Sequence, residues 1–159
     1  MARKSNAATE FSEYLAKVLN GKRLTGIDKW KKNWAGNKGE TADVAGLSAR
    51  KNARVLIEVE RLREDPASNV VKIWDWLEKG LVPRDVTFVH AFSNAYSGRK
   101  KTGKDRAEFV ATRLRREFKR ATYQQIDLAW NPRSGAHGIG GAARRHADRL
   151  ANSIVGLLR

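Results

Sequence analysis

The segment Ala53-Arg-Val-Leu-Ile-Glu-Val-Glu60 predicts a short β-strand, because Val, Leu and Ile dominate its centre. Glu58 and Glu60 occupy alternate positions near its end, so both carboxylates are expected to project from the same side. Asp43 lies fifteen residues before Glu58, in a second predicted strand over residues 41–47. Three carboxylates from neighbouring strands would form an oxygen-rich group that suits Mg²⁺ or Mn²⁺.

The alternation of apolar and acidic residues also has a simpler explanation. A strand with one face in water shows the same pattern, so Glu58 and Glu60 would then only be solvated. The segment that follows favours a site. Residues 69–79 form a predicted helix, and Asn69 and Lys72 lie three residues apart on one face near its start. Taken alone, Lys72 is better explained as a solvated helix lysine. Next to Glu58-Val59-Glu60 the solvated lysine and the site lysine are equally good explanations.

Asp43, the motif Glu58-Val59-Glu60 and the following helix with Asn69 and Lys72 resemble the PD-(D/E)XK nuclease superfamily, the fold of many restriction endonucleases. In that family an Asp opens the second core strand, and a (D/E)-X-K motif lies on the third. Glu60 stands here at the position of the motif lysine. The resemblance makes Lys72 the candidate for a lysine that has moved to the helix.

The resemblance implies a metal-dependent endonuclease that hydrolyses phosphodiester bonds in DNA, with a restriction-type enzyme as one form of it. It implies Mg²⁺ or Mn²⁺ as cofactor, with the Val59 carbonyl as a further ligand. The residue that activates the attacking water stays open between Glu60 and Lys72. A glutamate of the first helix often faces the metal in this family, and Glu10, which borders the apolar face, is favoured over Glu13. The implied catalytic residues are Asp43, Glu58, Glu60 and Lys72, and the implied metal ligands are Asp43, Glu58, Glu60 and Glu10.

The composition limits the class of protein. A chain of 159 residues predicts one domain, here a single nuclease-like domain over residues 1–159. Cysteine is absent, which excludes disulfides and thiolate metal sites. The chain has no apolar run long enough for a bilayer and begins without the apolar stretch of a secretory signal, so we expect a cytoplasmic protein without a membrane partner.

The net charge of +15, from 32 basic and 17 acidic residues, predicts a polyanionic partner. Residues 99–120 carry ten basic and three acidic side chains, although a solvated face would need no partner. Double-stranded DNA is the expected partner, and a restriction enzyme of this size would need to dimerise to cut both strands. The alternative function is a basic nucleic-acid-binding protein without catalysis. The predicted contact residues are Asn69, Arg99, Lys100, Lys101, Lys104, Arg113, Arg116 and Arg120.

The order of predicted elements indicates an α/β sandwich, with a mixed central sheet, helices on both faces and an αβββαβ core. Residues 24–40 give no clear pattern, and Trp30 and Trp34 could anchor either a short strand or an irregular stretch. His90 lies in an apolar strand without spaced partners and is expected to be a satisfied core residue. Residues 93–102 are expected to form a loop that touches the nucleic-acid backbone. The predicted helices are 7–19, 69–79, 104–121 and 141–158, and the predicted strands are 41–47, 53–60, 85–92 and 123–130.

Overall fold

The computed structural model describes residues 7–61, 65–98, 101–131 and 139–159, with side chains from residue 9 onward. Helices and strands alternate over most of its length. The elements are α1 (Ala7–Asn20), β1 (Lys29–Asn37), β2 (Glu40–Leu47), β3 (Ala53–Glu60), α2 (Ala67–Glu78), β4 (Thr87–Phe92), a short 3₁₀ helix (Asn94–Tyr96), α3 (Lys101–Glu117), β5 (Thr122–Asp127) and α4 (Gly141–Leu158).

The strands form one mixed sheet in the order β1-β2-β3-β4-β5. Strands β1, β2 and β3 are antiparallel neighbours, whereas β3, β4 and β5 run parallel to one another. A parallel pair needs a crossover connection, and α2 and α3 supply the two crossovers. The predicted α/β class with a mixed sheet is therefore confirmed.

Two apolar cores cover the two faces of the sheet. Leu56 and Phe88 pack on one face with residues of α2 and α3, whereas Ile57 and Val89 pack on the other with residues of α1 and α4. Because side chains alternate along a strand, Glu58 and the strand residues in step with it lie on the face with Leu56. The candidate acids therefore lie under α2 and α3.

The apolar periodicity of the helices is confirmed. Ala107 and Leu114 of α3, and Leu150 and Ile154 of α4, are buried. None of the described helices is long and apolar enough to cross a membrane.

Some boundaries differ from the prediction for local reasons. Strand β4 starts two residues late, because the Val86 N–H donates to the Pro83 carbonyl in a turn. Helix α3 begins at Lys101, so the predicted loop over residues 93–102 is wrong at its end. Strand β5 ends at Asp127 instead of continuing to Trp130.

The segment without a clear pattern contains β1, whose start is held by a side chain. The Asn20 amide donates to the Trp30 carbonyl at 2.9 Å and accepts the Trp30 N–H at 2.8 Å. The Asn20 side chain, at the end of α1, thus makes the two hydrogen bonds to Trp30 that the backbone of a neighbouring strand would make. Trp30 itself is buried among residues of α1 and α4.

The tip of the β1–β2 hairpin packs on α2 through Trp76. The Trp34 and Trp76 rings meet edge to face at 5.7 Å, and the Trp76 Nε1–H donates to Glu40 Oε2 at 3.0 Å. Asn33, next to Trp34, has a φ of 48°, a left-handed conformation that asparagine tolerates better than most residues. Gly36 lies directly on the indole, since an added Cβ would come within 2.7 Å of it.

We predict that Gly36→Ala destabilises the fold by about 1–3 kcal/mol, because the new methyl group would overlap the Trp76 ring. Gly156→Ala is the matched control. Gly156 lies on the exposed side of α4, and among the described residues only its own helix backbone lies within 4 Å of an added Cβ. This substitution should therefore stabilise the fold by about 0.5–1 kcal/mol. Urea unfolding of the two variants measures both effects. Equal unfolding midpoints for Gly36→Ala and Gly156→Ala would contradict the close contact between Gly36 and the Trp76 ring.

Candidate catalytic site

Asp43 and Glu58 meet where the pairing of β2 with β3 ends. The register runs to Val44 opposite Ile57, and one further step places Asp43 opposite Glu58. Asp43 Oδ2 accepts the Val59 N–H at 2.8 Å. Asp43 is half-buried and Glu58 is 5% exposed, so two acids share a region with little access to water.

Lys72 approaches this pair from the second turn of α2. Its Nζ donates to Glu58 Oε1 at 2.6 Å and to the Thr41 carbonyl at 2.7 Å, and lies 5.4 Å from the centroid of the Trp76 ring. The side chain is 13% exposed. Lys72 thus contacts Glu58, the first acid of the motif, as a lysine that has moved to the helix would have to do, while a role in catalysis stays a prediction.

Burial dominates the ionisation of Glu58. It raises the pKa of Glu58 from 4.5 to about 8, and the nearby Asp43 carboxylate adds to the shift. Lys72 lowers this pKa, but by less. Lys72 alone therefore does not keep Glu58 ionised in the metal-free site. A divalent cation beside Asp43 and Glu58 would relieve their repulsion and displace the proton.

Glu60 has different neighbours from Glu58, although it follows on the same face of β3. Its Oε1 accepts hydrogen bonds from Asn69 Nδ2 and from His90 Nε2, the latter at 2.9 Å. Glu60 is 3% exposed. The acids at alternate positions on β3 thus contact two different residues of α2, with Asn69 at Glu60 and Lys72 at Glu58.

A hydrogen-bonded chain continues from His90 across the sheet. His90 Nδ1 lies 2.9 Å from the Tyr123 hydroxyl, which accepts from Gln125 Nε2 at 3.0 Å. Gln125 Nε2 also donates to the Lys104 carbonyl at 3.0 Å. Burial lowers the pKa of His90 although Glu60 opposes this, and burial raises the pKa of Tyr123, so both rings are neutral.

His90 is fully buried with both ring nitrogens engaged, which confirms the prediction of a satisfied core residue. Tyr123 and Gln125 were not predicted from the sequence. The available signal was their alternate spacing on β5, which repeats the spacing of Glu58 and Glu60.

The fourth implied metal ligand, Glu10, lies in the first turn of α1. This helix packs on the opposite face of the sheet from Glu58. Within the described ranges, no group of three or more His, Cys, Asp or Glu side chains is placed to hold a metal ion. The structure brings together Asp43, Glu58 and Lys72, and it brings Glu60 to Asn69 and His90.

The predicted nucleic-acid contacts on α3 are only partly free. Lys101 is exposed in the first turn, whereas Lys104 forms an ion pair with Asp127 and is 16% exposed. Arg113 is exposed, and its guanidinium lies 3.8 Å from the centre of the exposed Phe109 ring.

The remaining basic residues of this region differ in position. Arg116 is exposed in the last turn of α3. Arg120 lies beyond α3, which ends at Glu117 and not at the predicted residue 121. Its guanidinium lies 3.5 Å from Asp85 Oδ2. The predicted contacts Arg99 and Lys100 lie outside the described residues.

Comparisons with known proteins give no match: no family model fits the chain, and no curated protein and no solved structure is similar to it.

We predict that Glu58→Gln stabilises the metal-free protein at pH 8 but has little effect below pH 4.5. The pKa of Glu58 is raised on folding, so the folded state holds its proton more tightly than the unfolded state. The parent therefore loses stability as the pH rises from 4.5 to about 8, and glutamine, which does not titrate, escapes this loss. Urea unfolding in EDTA at both pH values measures the difference. A stability difference between Glu58→Gln and the parent that does not change with pH would contradict the raised pKa of Glu58.

Proposed function

We propose that this chain is a metal-dependent nuclease that hydrolyses phosphodiester bonds in DNA through a site of the PD-(D/E)XK type. The observation that carries the proposal is the group of Asp43, Glu58 and Lys72, in which a lysine of α2 reaches the strand acid. The succession α1-β1-β2-β3-α2-β4 agrees with the αβββαβ core of that superfamily.

Asp43 and Glu58 fit a divalent cation by the chemistry of their oxygen donors. Their mutual repulsion contributes to the raised pKa of Glu58, which is the condition that a cation relieves. Mg²⁺ or Mn²⁺ held there would stabilise charge on the phosphate and make a water more acidic. Glu58 must ionise to hold the ion, so metal affinity should rise with pH.

Lys72 supplies a fixed positive charge beside the acids. The Thr41 carbonyl and the Glu58 carboxyl hold its ammonium in place. An ammonium positioned before substrate arrives can stabilise the negative charge that develops on phosphorus without further reorganisation. Lys72 therefore takes the role that the family gives to the motif lysine, from a different element of the fold.

The net charge of +15 supports DNA as the substrate, because phosphate contacts dominate nucleic-acid affinity. Lys101, Arg113 and Arg116 are the exposed predicted contacts on α3. A single site cuts one strand at a time, so cleavage of a symmetric duplex site would require two copies of the chain.

A nucleic-acid-binding protein without catalysis is the second candidate. It is favoured by the fact that the described residues hold no group of three metal-binding side chains. Dependence on the ion separates the two functions. A nuclease loses cleavage but keeps binding when EDTA is added. A binding protein without catalysis does not cut in the presence of either Mg²⁺ or Mn²⁺.

We predict that the parent cuts at least one member of a substrate panel in Mg²⁺ or Mn²⁺ and that Lys72→Ala slows this cutting by a large factor. The panel contains plasmid, single-stranded DNA, branched DNA and RNA. Lys72→Arg should rescue poorly, because a guanidinium is larger than an ammonium and keeps its proton. Metal affinity should be retained in Lys72→Ala, since an ammonium repels the cation. If Lys72→Ala cuts as fast as the parent, Lys72 does not take the role of the motif lysine.

We predict that binding falls steeply with salt and that the double substitution Arg113→Ala and Arg116→Ala flattens this dependence. Each cation that neutralises a phosphate adds about 0.9 to the steepness of the log–log slope on duplex DNA, and its removal should subtract the same amount. Fluorescence anisotropy in EDTA measures binding without cleavage. The comparison pair is Lys29→Ala with Lys31→Ala, on exposed positions of β1. If only the Lys29 and Lys31 pair flattens the salt dependence, the binding surface lies at β1 and not at α3.

A further inference from the structure

The two acids of β3 form two separate ties to α2. Asn69 donates to Glu60, and Lys72, one turn later, donates to Glu58. The N-cap residue of α2 is Pro66, whose side chain has no oxygen that could accept a capping hydrogen bond. The bond from Asn69 to Glu60 is therefore a tie that fixes the first turn of α2 on the sheet, and the position of Lys72 depends on that turn.

The hydrogen bonds around Glu60 run in one direction. An amide nitrogen can only donate, so Gln125 Nε2 makes the Tyr123 oxygen an acceptor and leaves its proton for His90 Nδ1. The neutral ring of His90 then carries its proton on Nε2 and donates it to Glu60 Oε1. Glu60 is the acceptor at the end of this chain.

Both donors to Glu60 converge on the same oxygen. Asn69 Nδ2 and His90 Nε2 each reach Oε1, and Glu60 is 3% exposed beneath α2. Oε1 is thus directed at two protein donors, and within the described residues Glu60 does not join Asp43 and Glu58 in a group of three that could hold one metal ion. Glu58, by contrast, lies beside the second carboxylate of the site, Asp43.

We propose that Glu60, at the position of the motif lysine, is a positioning residue that fixes α2 so that Lys72 reaches Glu58, and that it is neither the base nor a metal ligand. This proposal rests on the proposed nuclease function. Asn69 and His90 act with Glu60, and the Tyr123–Gln125 pair holds His90 in the tautomer that donates to it.

The test compares Glu60→Gln with Glu60→Ala, because glutamine has a carbonyl oxygen where Oε1 lies and can accept both hydrogen bonds without a charge. Cleavage in Mg²⁺ should stay within about threefold of the parent in Glu60→Gln and fall at least tenfold in Glu60→Ala. Glu58→Gln is the matched control on the same strand, and it should not cut. Loss of cleavage in Glu60→Gln to the level of Glu58→Gln would overturn the proposal.

Calorimetric titration with Mn²⁺ alone gives a second measurement that does not depend on cleavage. The affinity should be unchanged in Glu60→Gln and reduced in Glu58→Gln, and an equal reduction in both would make Glu60 a ligand. A parent that neither binds Mn²⁺ nor cuts any substrate would overturn the proposed function instead. The positioning role of Glu60 would then be tested by urea unfolding alone. Glu60→Gln should be as stable as the parent, and Glu60→Ala should be less stable. Equal stability of the two variants would overturn the positioning role.

Discussion

A carboxyl group buried beside a second carboxylate is the constraint on which the rest of this structure depends. Glu58 is placed between Asp43 and Lys72, and its desolvation outweighs the attraction of the lysine. Such a group is unfavourable for folding at neutral pH, so the surrounding fold must hold it there. The mixed sheet supplies the two acids from one side, and α2 supplies the ammonium from the other.

Helix α2 is held against the sheet from several directions. Its Trp76 ring lies under Gly36 and the Trp34 ring of the β1–β2 hairpin, and its indole N–H is bonded to Glu40. Its first turn is tied to β3 through Asn69. The apolar contacts fix the depth of the helix, and the polar contacts fix its position along the strand. Because α2 is held in place by these contacts, Lys72 can keep its hydrogen bond to Glu58 although the two residues lie on different elements.

Local pattern in the sequence was sufficient for most of the elements and for the shared face of Glu58 and Glu60, because strand and helix periods are properties of neighbouring residues. The resemblance to the PD-(D/E)XK superfamily made Lys72 the candidate for the site, whereas local pattern showed only that Asn69 and Lys72 share a helix face. It did not reveal β1, whose start depends on the Asn20 amide at the end of the preceding helix and whose pairing depends on β2. It did not reveal Tyr123 or Gln125 either, because the chain from Gln125 to Glu60 exists only after β3, β4 and β5 have paired. The pKa of Glu58 depends on burial, which no local pattern contains.

Among the residues that the structure describes, strand β1 pairs only with β2, so it is an edge of the sheet. An edge strand offers unpaired backbone groups to any other extended chain, and proteins commonly protect such edges with lysine and with local irregularities. Lys29, Lys31 and Lys32 lie along this edge, and the left-handed Asn33 interrupts its regular geometry. Continuation of the sheet into a second copy through β1 would bring these lysines against their own counterparts. The edge therefore disfavours pairing with another extended chain.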